Sequence, residues 1–406
     1  MKISKANRLQ EVKEYYFSRK LKEIKALEDN GRKIINLGIG SPDLAPSEKT
    51  VYKLMEEGLK KENHAYQSYS GIPELRSAFS KFYKRFFKVT LEQNEILPLM
   101  GSKEGIMHIS MAFLNPGDGV LVPNPGYPTY SSVSKLLGAE IMNYNLTKEN
   151  QWLPNFEEIE KQDLSKVKIM WVNYPNMPTG TKATKDIFQK LVNFGLKHNV
   201  LIINDNPYSF VLNNEQLSIL EIDGAKEIAM ELNSLSKSHN MAGWRIGMLA
   251  GQQDYINAVL QAKSNMDSGI FKPMQLAAVE ALNADESWFT SLNEIYSERR
   301  KIVFEILDIL KFDYQKKQVG MFVWAKIFDK FNNAEQFSDE LLKQEGVFVT
   351  PGSIFGSNGE RYIRISLCSN VETLAEARNK ISQFVERTDF IEKDEEEYEM
   401  VFGKFH

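Results

Sequence analysis

Lys237 stands in Asn233-Ser234-Leu235-Ser236-Lys237-Ser238, and Arg245 follows eight residues later in Gly243-Trp244-Arg245-Ile246-Gly247. A lysine among small hydroxyl residues, just after an apolar run, can reach into a cleft rather than into solvent. Partial desolvation or a neighbouring cation lowers its pKa and leaves a nucleophilic amine suited to an imine. Arg245 is typed for forked binding of a phosphate. Gly101-Ser102-Lys103-Glu104-Gly105 precedes the apolar stretch Ile106 to Leu114, which puts Ser102 at or near a helix start. Free backbone N–H groups at such a start make an anion site. Tyr127, in Pro125-Gly126-Tyr127-Pro128-Thr129-Tyr130, follows the run Val120 to Val122 and is placed to stack on a flat ring. Asp205 closes the run from Val200, with Tyr208 three residues on. A carboxylate and a phenol so placed can salt-bridge a protonated ring nitrogen and hydrogen-bond a phenolate oxygen. Each motif alone is commonplace; their order along one chain is not.

These residues need elements to hold them. Apolar runs of strand length occur at Val120–Val122, Val167–Val172, Val200–Ile203, Ile228–Leu232 and Ile246–Ala250. Amphipathic stretches lie between several of them, such as Thr184 to His198 with Ile187, Leu191 and Phe194 on one face. This alternation predicts βαβ units and a mainly parallel, mixed sheet between helices. Sites in such sheets lie beyond the carboxyl ends of the strands. Residues 1–30 read as a charged helix with Leu9, Val12, Tyr16, Leu21, Ile24 and Leu27 at roughly helical spacing. From about Ser287 a long helical stretch leads to two alternating strands, Met321–Ile327 and Tyr362–Leu367, expected in a smaller α+β domain. The expected organisation is therefore an N-terminal arm and part of the small domain at 1–45, a large domain at 46–286, a small domain at 287–391 and an acidic tail at 392–406.

The ordered set resembles the pyridoxal-phosphate-dependent aminotransferases of fold type I, class I/II, from Asn36-Leu37-Gly38-Ile39-Gly40-Ser41-Pro42-Asp43 through to Arg364. The resemblance implies a large domain with a seven-stranded sheet, a smaller α+β domain, and pyridoxal 5'-phosphate as cofactor. It implies that Lys237 is the Schiff-base lysine and moves the proton between substrate and cofactor. Asp205 would keep the pyridine nitrogen protonated, making the ring an electron sink. Tyr127 would stack on the ring, and Tyr208 would donate to its 3-oxygen. Ser102, Lys103, Ser234, Ser236 and Arg245 fall where the family holds the phosphate. Tyr66, in Tyr66-Gln67-Ser68-Tyr69-Ser70-Gly71-Ile72-Pro73-Glu74-Leu75-Arg76, matches a tyrosine that reaches the phosphate of a neighbouring subunit, which implies a homodimer with shared active sites. Arg364 is similar to the arginine that forks the substrate α-carboxylate, which approaches the backbone at Gly40; a Cβ there would block it.

One position departs from the pattern. The family carries Asn immediately before Pro-Thr-Gly, donating to the 3-oxygen, whereas this chain reads Asn173-Tyr174-Pro175-Asn176-Met177-Pro178-Thr179-Gly180. Either Asn176 swings in as the donor or the donor is missing. Asn265-Met266-Asp267-Ser268-Gly269 and Gly320-Met321-Phe322-Val323-Trp324 are similar, more loosely, to the branch that contains LL-diaminopimelate aminotransferases. In that branch an arm tyrosine contacts substrate, and Tyr16 is the candidate.

The expected activity is amino transfer from an L-amino acid to a 2-oxo acid by a ping-pong cycle through Lys237; a carbon–sulfur β-lyase on the same fold is the alternative. Composition agrees with small-molecule chemistry. In 406 residues, 50 Lys and Arg face 54 Asp and Glu, so no basic excess exists for nucleic acid. One cysteine, Cys368, and five scattered histidines argue against a disulfide framework and a metal cluster. Met1 to Asn30 lacks the apolar core of a signal peptide, and no apolar stretch reaches the ~20 residues that span a membrane, so the expectation is a cytoplasmic enzyme. A transcription regulator of this family needs more chain before Gly38, and Gly38-Ile39-Gly40 lacks the third glycine of a dinucleotide fingerprint.

Overall fold

The computed structural model describes residues 3–12 and 14–387. In chain order the strands are β1 (Ile35–Asn36), β2 (Ile96–Leu99), β3 (Gly119–Asn124), β4 (Glu140–Asn145), β5 (Val167–Val172), β6 (Leu201–Asp205) and β7 (Ala229–Ser234). They continue as β8 (Gly247–Gly251), β9 (Asp313–Tyr314), β10 (Phe322–Lys326), β11 (Val347–Phe348), β12 (Thr350–Pro351) and β13 (Tyr362–Ser366). The α-helices are α1 (Tyr16–Asp29), α2 (Glu48–Gly58), α3 (Pro73–Phe87), α4 (Ser102–Phe113), α5 (Pro128–Leu136), α6 (Phe156–Ile159) and α7 (Lys185–His198). After them come α8 (Ala225–Ile228), α9 (Leu235–Ser238), α10 (Gln253–Lys263), α11 (Lys272–Leu282), α12 (Glu286–Ile309), α13 (Ala334–Glu345) and α14 (Val371–Arg387). Two compact units result: one takes the chain up to residue 14, then 41–293 and 318–320; the other takes 15–40, 294–317 and the chain from 321 onward.

The first unit is an α/β layer structure around a seven-stranded sheet ordered β2-β8-β7-β6-β5-β3-β4. Burial on both faces explains why β5 and β6 read as nearly unbroken apolar runs rather than alternating ones. Val120, Val122, Ile169, Trp171, Ile203, Leu232 and Leu249 of the sheet pack with Ile106 and Ile109 of α4, Tyr130 and Val133 of α5, and Ile256 and Val259 of α10. Helix boundaries follow local chemistry. In α7 the Thr184 side chain accepts from Ile187 N at 3.2 Å, and Asn199 ends the helix in a left-handed conformation.

One strand sets the site's geometry. β8 runs antiparallel to both neighbours, and its Gly247 is in register with Leu99 at the end of β2 and with Ser234 at the end of β7. β6 is parallel to β7, with Asp205 opposite Leu232, and parallel to β5, with Asn204 opposite Val172. The carboxyl ends of β2, β7, β6 and β5 therefore open on one edge of the sheet.

The second unit holds an antiparallel sheet ordered β12-β13-β10-β9 and a parallel pair, β1 with β11. Arg364 sits mid-strand in β13, opposite Trp324 on one side and Thr350 on the other. Helix α1 lays Ile24 against Leu342 and Phe348, with Tyr16, Leu27 and Ile34 around them.

The N-terminal segment differs from the single helix anticipated over 1–30. A short 3-10 turn covers Asn7–Leu9, and the α-helix begins only at Tyr16. Leu9 is 47% exposed, so the apolar stripe that would have continued the helix has nothing to bury it. The acidic stretch Glu392–Glu399, anticipated as a solvated tail, lies outside the described residues.

Candidate active site

The end of β2 turns sharply into α4. Gly101 occupies the N-cap with φ +82°, and Ser102 takes the first helical position. A Cβ at Gly101 would meet Arg245 Nη2 at 2.4 Å, so only glycine lets the guanidinium lie across the turn. Arg245 itself holds a left-handed backbone, φ +58°, and donates from Nη1 to Ala242 O at 2.9 Å and from Nη2 to Met100 O at 3.2 Å. Burial, together with the Arg245 charge, lowers the pKa of Lys103. Ser234 caps the four-residue α9: its Oγ accepts from Ser236 N at 3.1 Å, and the two hydroxyls lie 2.8 Å apart. Gly247 joins the halves, since a Cβ on it would meet Asn233 O at 2.7 Å and Gly101 Cα at 3.1 Å. Ser102, Lys103, Arg245, Ser234 and Ser236 thus gather around one helix start and two cations, as an anion cup requires. Lys237 follows directly in α9, half-buried.

At the end of β6, Asp205 is buried. Tyr130 donates to its Oδ2 at 2.9 Å, while Oδ1, also buried, has no hydrogen-bond partner among the described residues. Burial pushes the carboxyl up to about 6 against the pull of the Tyr130 and Ser102 hydroxyls. Tyr130 stacks on Trp171 with centroids 5.0 Å apart and meets Tyr127 edge-on at 5.5 Å. Burial holds the Tyr130 phenol protonated, the Asp205 charge adds to this, and the neighbouring phenols of Tyr127 and Tyr208 act in the same direction. Asp205, Tyr127, Tyr130 and Tyr208 are therefore one constellation. A buried carboxylate oxygen waiting for a donor, beside an anion cup one strand away, fits a phosphorylated heterocycle with a protonated ring nitrogen.

The loop after β5 is clamped on itself. Asn176 Nδ2 donates to Asn173 O at 3.1 Å, and its Oδ1 accepts from Thr179 Oγ1 at 2.7 Å and Thr179 N at 3.3 Å. Met177 is buried, its N–H donating to Asn173 Oδ1 at 2.8 Å. Asn173 Nδ2 in turn donates to Asp205 O. Of this loop, Asn173 is the side chain tied to the Asp205 strand end, while Asn176 holds the turn.

In the second unit, Arg364 donates from Nη2 to Gly38 O at 2.8 Å, and Thr350 Oγ1 donates to the same carbonyl at 2.8 Å. Its guanidinium carbon lies 3.8 Å from the Phe322 ring centre, 4.8 Å from Phe355 and 5.6 Å from Phe17. Three aromatic faces strip water from the guanidinium and strengthen any carboxylate fork it makes. A Cβ at Gly40 would strike the Phe322 ring at 2.2 Å. Tyr16 belongs to the cluster with Ile24, Leu342 and Phe348; burial and the charges of Asp339 and Glu335 raise its pKa. Its neighbour on α1, Phe17, is the ring that lies 5.6 Å from the Arg364 guanidinium carbon. Tyr66, by contrast, is 90% exposed.

Residues 32–381 match the family described as Aminotransferase class I and II. The chain is 41% identical over 387 residues to LL-diaminopimelate aminotransferase from Dehalococcoides mccartyi (strain CBDB1), covering 95% of this chain and 99% of the relative. It is 38% identical to the enzyme of that name from Aquifex aeolicus, over 93% and 98% of the two chains. Among solved structures, substrate-bound BacF from Bacillus subtilis is similar at 38% identity and a TM-score of 0.90, covering 95% of this chain and 98% of that one.

Proposed function

The chain belongs to the class I and II aminotransferases, and on that premise we propose that LL-diaminopimelate is its amino donor, with a 2-oxo acid as acceptor. It is an enzyme that moves an amino group from an L-amino acid to a 2-oxo acid with pyridoxal 5'-phosphate. When bound, that cofactor supplies a carbonyl that exchanges amino groups and a ring that delocalises the charge left by a departing α-proton. In our reading the rest falls to this chain's own side chains. Lys237 Nζ takes and returns the α-proton. Asp205 Oδ1 accepts from the ring nitrogen, Tyr127 covers the ring, and Tyr208 donates to the 3-oxygen. Ser102, Lys103, Ser234, Ser236 and Arg245 hold the phosphate. Arg364 forks the substrate α-carboxylate beside Gly40, and the α1 arm around Tyr16 borders the substrate.

The observation that carries this reading is the buried Oδ1 of Asp205, which has no hydrogen-bond partner among the described residues while Oδ2 takes the Tyr130 bond. The donor is supported by the name shared by relatives at about 40% identity. A screen of amino donors with 2-oxoglutarate and pyruvate tests it. LL-diaminopimelate should give the highest kcat/KM; a monocarboxylic or aromatic donor ahead of it by tenfold would overturn the assignment.

The same reading includes a homodimer in which Tyr66 serves the partner's phosphate. It is supported by the exposure of Tyr66, of Tyr52 and Met55 on α2, and of Leu59 just beyond its last residue. It also places the enzyme in the cytoplasm, in keeping with its single, buried cysteine and with the lack of any helix, among the described residues, long and apolar enough to cross a membrane.

A further inference from the structure

Behind the anion cup lies a buried ionic cluster that the reaction does not use. Glu104 occupies the first turn of α4, two residues after Ser102. Its Oε2 accepts from Met100 N, and its Oε1 lies 3.0 Å from His108 Nε2. Lys263, the last residue of α10, is fully buried; its Nζ contacts Asp267 Oδ2 and lies 3.7 Å from Glu104 Oε1. Asp267 Oδ1 accepts from Gly269 N at 2.8 Å. Burial works against ionisation of Asp267, yet the Lys263 and Gly269 bonds hold its pKa below the usual value. The ligand atoms of Glu104, His108 and Asp267 lie within 4.8 Å of one another, but the Lys263 ammonium is already the cation against both carboxylates.

The position of Glu104 poses an electrostatic problem. A carboxylate in the first turn suits a helix N-terminus on its own. It does not suit one whose N-terminus must hold a doubly charged phosphate, because two anions then compete for one dipole. Lys263, whose charge faces Asp267 as well, reduces the conflict. Glu104 is also mechanically linked to the cup: it holds Met100 N–H, and the carbonyl of the same residue takes the Arg245 Nη2 bond. We propose that Lys263 is a positioning residue for cofactor phosphate, offsetting the Glu104 charge so that the Met100–Gly101–Ser102 turn and Arg245 can hold a dianion. This rests on the reading of Ser102 and Arg245 as the phosphate cup, and it adds a residue that the cofactor does not touch.

The test compares the affinity of cofactor-free protein for pyridoxal 5'-phosphate and for pyridoxal, which lacks the phosphate, by equilibrium dialysis. Lys263→Met should weaken binding of the phosphorylated form on the order of tenfold, the scale seen when an outer partner of a bound ion is removed. Pyridoxal affinity should stay within about twofold. Adding Glu104→Gln to Lys263→Met removes the carboxylate that borders the cup, leaving Asp267 in place, and should restore most of the phosphate affinity. Equal losses for both probes, or no restoration in the double variant, would reduce Lys263 to a packing role and overturn the proposal. Arg245→Gln separates the two readings. If it costs no phosphate selectivity, the cup assignment itself fails; if it does and Lys263→Met does not, only the role of Lys263 fails.

Discussion

The Tyr130 hydroxyl and the Asp205 carboxylate, 75 residues apart in sequence, meet at 2.9 Å inside the sheet's open edge. That bond occupies Oδ2 and leaves Oδ1 for the ring nitrogen that the proposed cofactor would bring. Burial, which the bond only partly offsets, makes Asp205 costly when no cofactor is present. Its folded pKa, raised by burial from 3.8 to about 6, exceeds the unfolded value. The associated stability is therefore present in full below pH ~3.8 and lost as pH rises through about 6. Asp205→Asn should make the cofactor-free protein melt higher than wild type at pH 7.5, with the advantage vanishing near pH 4. Activity should fall by at least ~100-fold, as for loss of a proton-holding group. Calorimetry across that range decides; a variant that melts lower at pH 7.5 contradicts the burial argument.

Lys237→Ala should abolish turnover while leaving the fold intact, because α9 is held by the Ser234 cap rather than by the lysine. Borohydride reduction of wild type followed by peptide mapping should place the pyridoxyl group on Lys237. Recovery of that group on Lys103 would reassign the nucleophile.

Exposed Tyr66 leads to a complementation experiment. Tyr66→Ala and Lys237→Ala homodimers should each be nearly inactive. Mixed under subunit exchange, they form heterodimers in which one site keeps both residues, and a quarter or so of wild-type activity should return. Heterodimers demonstrated by mass and yet inactive would rule out a cross-subunit Tyr66.

Met177 offers a thioether where the family has a donor. Asn176 is committed to Asn173 O and Thr179, so it is poorly placed to compensate. Met177→Asn should then move the pH midpoint of the bound cofactor's absorbance change downward. A hydrogen bond to a charged group is worth ~1.5–3 kcal/mol, about one to two pKa units. A spectrophotometric titration reads this directly. No shift in Met177→Asn, with an upward shift in Asn176→Ala, would mean that Asn176 already donates.

His239 gives a pH signature independent of the cofactor. It is buried among Phe82 and Phe289, and burial lowers its pKa from 6.5 to about 3. The unfolded chain takes a proton near pH 6.5 that the folded one refuses, so stability present above pH 6.5 is lost progressively down to about 3. His239→Gln should be less stable than wild type at pH 7.5, and the gap should narrow by pH 4.5 in urea titrations. A constant gap would show that the histidine charges in the folded state.

The sequence is legible where punctuation coincides with chemistry. Asp205 and Lys237 each follow an apolar run of strand length, and the sheet puts both runs side by side as β6 and β7. Ser102 was visible because a glycine and a helix start flank it. What could not be read depends on tertiary register. Tyr130 lay in a quoted motif, but only the seating of α5 over the sheet aims its hydroxyl at Asp205. Asn173 is distinguished from Asn176 by how the loop closes on itself. The Phe17, Phe322 and Phe355 faces around Arg364 come from three separated segments. Lys263 and Glu104 lie on different helices, and nothing in the Gly101–Gly105 segment that contains Glu104 points to Lys263 as its partner.

β2 is the outermost strand of its sheet, bonded to β8 alone, yet its last residue leads straight into the cup at Gly101 and Ser102. An edge strand is ordinarily the first part of a sheet to open. Here any opening would carry away Ser102 and Lys103, two of the five residues proposed to hold the phosphate, so a bound ligand should suppress it. Cofactor occupancy should thus be written in the amide hydrogen exchange of Ile96–Leu99, slow when the phosphate is held and faster when it is gone. The border of the sheet becomes a gauge of whether the enzyme is loaded.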